Sequence, residues 1–235
     1  GAPAAVEAAL KAGNVCYSVG YNVDMLSVAP NAALTSATNN WAVYYEYLFN
    51  AVKNGETITL TDNVTGNVTL TEKVGLHYTI DGAGKQFKGS ISVNSLSDTN
   101  DNRRITIKNI KFVDDTAAKV DFITSVNTNH YPRLTVEGCT FTGSGDATDV
   151  AVRLKSSHSV VITNCTGTGL HSFIQNTSGW NLTIENVNVT NSKGAFALGT
   201  VQGVTIKGST IDVATYGIRL DANTYNNNAT IESNT

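Results

Sequence analysis

Charge is sparse in this chain. Only 15% of its 235 residues are Asp, Glu, Lys or Arg, and the formal net charge is −3. There is no basic footprint to neutralise phosphates, so nucleic acid is not an expected partner. No apolar run approaches the ~18 residues of a membrane-spanning segment. Three cysteines, Cys16, Cys139 and Cys165, are an odd number, which excludes a fully paired disulfide framework. Four histidines, His77, His130, His158 and His171, are scattered without the spacing of a zinc motif. TIDGAGKQFKG (79–89) is glycine-rich, but no helix follows it and the phosphate-loop order is missing, so it reads as a turn. The opening GAPAAVEAAL lacks the basic segment of a secretory leader and reads as an already processed start.

Thr, Asn and Gly are abundant and Pro is scarce, a balance suited to strands joined by tight turns. It is the composition of many extracellular sheet proteins, and it predicts a secreted or cell-surface location. A chain of this length can bury a substantial core as one domain.

One unit is written repeatedly: ITIKNIKF (105–112), LTVEGCTF (134–141), VVITNCTG (160–167), LTIENVNV (182–189), VTIKGSTI (204–211) and a shortened ATIESNT (229–235). Successive copies begin 29, 26, 22, 22 and 25 residues apart. Apolar residues occupy positions 1 and 3, then 6 and 8, as Leu182, Ile184, Val187 and Val189 do. The change of parity at position 5 predicts two short strands joined by a bend. Asn109, Asn164 and Asn186, with Gly138, Gly208 and Ser233, hold that position; Asn and Gly tolerate the left-handed backbone a bend demands. A third strand precedes each copy: FITSV, AVRLK, SFIQN, AFALG and GIRLD. Three strands in 22 to 29 residues make one turn of a solenoid whose apolar face is buried only against its neighbours.

This pattern resembles the right-handed parallel β-helix of the pectate-lyase-like (pectin lyase fold) superfamily, in its bacterial surface or adhesin-like type. The resemblance spans residues 56–235. It implies an all-β, single-stranded right-handed parallel β-helix with an inward asparagine ladder. A leucine-rich repeat needs denser leucines and a shorter fixed period. WAVYYEYLFNAVKNG carries apolar residues at 41, 44, 45, 48 and 52, flanked by Asn40 and Gly55, which predicts a helix. Residues 1–55 are therefore expected to form an N-terminal cap of one or two helices with strand elements. No C-terminal cap is apparent within residues 56–235, and the natural protein is expected to continue.

Two acidic loops stand out. FVDDTAAKVDF carries Asp114, Asp115 and Asp121, and GSGDATDVAVR carries Asp146 and Asp149 beside Arg153. On adjacent turns such carboxylates could hold Ca²⁺, serve as a glycosidase acid/base pair, or decorate polar loops. The resemblance to lyases would cast Arg153 as a proton acceptor, with Asp146 and Asp149 as its candidate catalytic partners, yet no stretch matches a lyase signature residue by residue. Arg153 and Arg219 share a column but lie three turns apart, about 14 Å. Trp180, Tyr131, Tyr216 and Tyr225 fall in or near turns, off core parity, and are candidate rings for stacking on a polysaccharide or cell-surface glycan. Cys139 and Cys165, at position 6 of successive copies, are expected as buried free thiols. Two functions stand open: a non-catalytic, adhesin-like or glycan-binding surface module, and a polysaccharide lyase or glycoside hydrolase acting on acidic polysaccharide. The missing catalytic constellation favours the first.

Overall fold

The computed structural model of the chain describes residues 14–18, 26–30, 40–97, 102–116, 118–125, 127–145, 148–221 and 229–235, with the backbone alone at 14–18, 26–30 and 43. From Thr57 onward the chain winds through seven coils of three strands each, and every strand pairs in parallel with its counterpart one coil away. Sheet A stacks Thr57–Thr59, His77–Asp81, Arg104–Lys108 and Leu134–Glu137, then 160–163, 182–185, 204–207 and Thr230–Glu232. Sheet B stacks the strands after the bend, from Val64–Thr65 to 210–212, and sheet C those from Val68–Thr71 to 216–220. In the later coils the passage from sheet C to sheet A is so tight that the strands run on, as in Val150–Thr163 and Ser172–Glu185.

The parity of the repeat is the parity of burial. Leu182, Ile184, Val187 and Val189 are fully buried, as are Ile105, Ile107, Ile110 and Phe112 three coils earlier. On the outer face of sheet A, Thr79, Thr106, Thr135, Thr183 and Thr205 share a column interrupted by Val161. At position 5 the bend is left-handed in all six copies, with φ between 53° and 62°. The Asn side chains there are exposed rather than inward, because the bend turns them out while positions 3 and 6 take the interior. Where Asn succeeds Asn, as at Asn186 and Asn164, the upper amide donates to the lower one's oxygen at 3.3 Å. Inside, Phe87, Phe112 and Phe141 form one column, with Phe112 and Phe141 stacked at 5.0 Å. Gly167 ends that column because the Phe173 ring fills its place; a Cβ there would lie 2.6 Å from the ring.

One helix occurs among the described residues, α1 (Asn40–Ala51). It buries Ala42, Tyr45 and Phe49, followed by Val52, rather than the full 41–44–45–48–52 face expected from spacing; Trp41, Tyr44 and Leu48 are half-buried. Its polar side chains explain the rotation. Glu46 accepts from Thr69 N at 2.7 Å, while Asn50 accepts from Thr71 N at 2.9 Å and donates to Thr69 O at 2.8 Å. The helix thus supplies hydrogen bonds to the free edge of the first sheet C strand, which would otherwise present unpaired backbone groups. A two-stranded antiparallel pair, Asn14–Ser18 with Leu26–Pro30, precedes it.

Candidate functional site

The acidic candidates lie where sheet B passes to sheet C, and each of those described is engaged by its own neighbourhood. Asp114 is buried and its Oδ1 accepts from Thr116 N at 2.9 Å and Thr116 Oγ1 at 2.8 Å. Asp115 is exposed and pairs with Lys88 at 2.5 Å; that ammonium holds its carboxyl below the usual carboxylate range. Asp121 pairs with Arg153 at 2.7 Å, and Arg153 also donates to Gln175. Asp149 is fully buried, accepting from Val120 N at 2.8 Å and from Ser144 N and Oγ at 2.9 and 3.2 Å. With its carbonyl bound by His171 N at 2.7 Å, Asp149 ties the third, fourth and fifth coils together. Asp146 lies outside the described residues. Among the described residues no three His, Cys, Asp or Glu side chains gather into a metal-holding group.

The aromatic candidates separate. Tyr216 lies flat on Gly194, where a Cβ would come 2.3 Å from its ring, and Arg219 stacks on it at 4.9 Å. Tyr225 lies outside the described residues. Tyr131 and Trp180, however, meet where sheet C passes to sheet A, with ring centroids 5.2 Å apart at 54°. Trp180 is 36% exposed, one of the most exposed large apolar side chains described. Its position follows from Gly179, whose φ of 139° brings the turn hard against the coil below; a Cβ there would stand 2.2 Å from the Ser157 carbonyl oxygen. The chain then turns outward, and Trp180 comes into register with His158 below and Gln202 above.

His158 completes the patch, its ring 6.0 Å from Trp180. Partial burial, followed by the charges of Arg133, Arg103 and Arg104, holds its imidazole below the ordinary value. Arg104 is half-buried, donating to Leu134 O at 3.2 Å and Thr135 Oγ1 at 3.0 Å. Two aromatic rings and an imidazole thus share one corner of coils three to five, within the field of Arg133, Arg103 and Arg104. His158 and the arginines are absent from the sequence-based candidates. Their signal was positional: Arg103, His158 and Trp180 each stand two residues before a copy of the repeat, a column visible once the copies are aligned.

Cys139 and Cys165 are buried free thiols in adjacent coils, as the spacing predicts. Burial pushes the Cys139 thiol up, which keeps it protonated and inert.

Residues 122–235 match the family described as right handed beta helix region. From Thr57 onward the fold is a right-handed parallel β-helix. Its first coils, before residue 122, continue the matched segment's ladders: Ile107 pairs with Val136, and Phe87 with Phe112. The β-helix is consistent with the pectate-lyase-like architecture. No curated protein and no solved structure matches the chain. No described helix is long and apolar enough to cross a membrane.

Proposed function

We propose that this β-helix is a non-catalytic, adhesin-like module, secreted or held at a cell surface, that binds a glycan on the Tyr131–Trp180 platform. The observation that carries this reading is the meeting of two aromatic rings from different coils, 5.2 Å apart, with Trp180 left open to solvent. A sugar ring presents an apolar C–H face and a polar rim; an indole beside a phenol and an imidazole offers both kinds of contact. The low charge and Thr- and Asn-rich surface suit an extracellular setting. An enzyme acting on acidic polysaccharide is less favoured, because Asp115, Asp121, Asp149 and Arg153 are already held by internal partners. Hydrolysis or elimination needs groups able to exchange protons with substrate.

A glycan array of neutral and acidic oligosaccharides, read for binding and for depolymerised product with and without Ca²⁺, tests the reading. Binding without cleavage, weakened about tenfold or more by Trp180→Ala or Tyr131→Ala, is expected for anchor residues of a stacking site. Cleavage that disappears with Arg153→Ala but persists with Trp180→Ala would replace the module with an enzyme.

A further inference from the structure

Arg103 is the bulkiest of the fully buried side chains described. Its partner is Glu72, equally enclosed, with Nε to Oε2 at 2.7 Å. Both members of the pair also reach main chain. Glu72 Oε2 accepts from Leu96 N at 3.2 Å and Oε1 from Arg133 N at 3.0 Å. Arg103 Nη2 donates to Leu96 O at 3.1 Å and to Tyr131 O at 2.9 Å. Tyr131 N closes the circuit on Leu96 O at 2.9 Å. One ion pair therefore gathers backbone groups from two successive passages between sheet C and sheet A. These are the passages, in the second and third coils, that are longer than the tight corners of coils four to six.

A buried ion pair adds little net stability over apolar residues of the same volume, while losing one member is strongly destabilising; its best-attested use is to select one arrangement among several. Here the arrangement selected includes the main chain of Tyr131, whose ring makes half of the platform. We propose that Glu72 and Arg103 are positioning residues for the binding platform, locking the two corner passages in the arrangement that sets Tyr131 beside Trp180. This rests on the glycan-binding reading for its function but not for its geometry.

Arg103→Lys tests it in the 235-residue chain. Lysine keeps the charge opposite Glu72 but cannot supply the forked donation to Leu96 O and Tyr131 O. Trp41→Phe is introduced throughout so that tryptophan emission reports Trp180 alone. Acrylamide quenching of Trp180 is compared in the parent, Arg103→Lys, Tyr131→Ala and the double variant, beside thermal melts and titrations with cellohexaose, xylohexaose and trigalacturonate. The expected result is a cooperative melt for Arg103→Lys, quenching raised to the level of Tyr131→Ala, and no further rise in the double variant. Any oligosaccharide that the parent binds should lose about tenfold or more in affinity. Unchanged quenching and affinity in Arg103→Lys would overturn the proposal and leave the pair as a staple of the fold. If Arg103→Lys does not fold, Glu72→Gln is read in the same way, and unfolding of both would also overturn a positioning role. If the parent binds none of the three sugars, the glycan reading loses its support while the quenching series still decides the positioning.

Discussion

His158 carries the most direct test of the local electrostatics. Burial first, then Arg133 and Arg103, depress its basicity below the ordinary 6.5, so the ring is neutral at pH 7. As pH falls, the unfolded chain takes up this proton before the native one does. The group's contribution is therefore intact above about 6.5 and is lost as pH drops through that value toward the depressed native one. With tryptophan emission restricted to Trp180 by Trp41→Phe, acidification should quench the indole 6.0 Å from the imidazole with a midpoint below 6.5. His158→Gln should flatten that titration, and a midpoint at or above 6.5 would contradict the local field described. Residue by residue, legibility followed parity. Leu182, Ile184 and Val187 announced their burial by alternation, whereas Asp149 looked like any loop carboxylate and is fully enclosed. No periodicity marks a carboxylate whose partners are the main chain of Val120 and Ser144.

At the scale of elements, α1 covers the first coil by mimicking a strand. Asn50 gives its amide to Thr69 O and takes Thr71 N, the same pair of groups that a neighbouring strand would satisfy. Asn50→Ala should cost about 0.5–1.5 kcal/mol, the net worth of hydrogen bonds whose backbone groups water can reach once they are freed. The check is a denaturant titration whose midpoint falls with an unchanged slope. Asn50→Asp, which keeps an acceptor for Thr71 N but loses the donor to Thr69 O, should fall between. The helix itself was readable from its apolar spacing and flanking Asn40 and Gly55. Which face it buried was not, because Glu46 and Asn50 orient it through hydrogen bonds to a strand more than fifteen residues away.

Across the whole molecule each coil is stabilised by the coils beside it, so stability should be graded along the axis. Leu198 in the sixth coil is fully buried, yet Leu220, its neighbour one coil on, is 42% exposed. Ile206 is likewise enclosed, while Ile231 above it is 45% exposed. Hydrogen–deuterium exchange read by mass spectrometry should therefore find slow amides in 134–207 and fast ones in 213–220 and 230–232. Equal protection across both regions would mean that the seventh coil is covered in solution as well as the fourth is.

Amino-acid order alone determined the coil: the period of 22 to 29 residues, the inward positions and the left-handed bend at position 5. These follow from local sterics and from the need of each short unit to bury its apolar face on the next. Tertiary structure alone decided which distant residues meet. The column offset that aligns His158 with Trp180 can be counted, but Tyr131 reaches Trp180 from a longer passage whose path the Glu72–Arg103 pair holds. Such a path is set by hydrogen bonds between residues tens of positions apart, which leave no period in the chain. The same holds for the acidic loops, where adjacency in sequence suggested a shared site and the folded coil gave each described carboxylate its own partner.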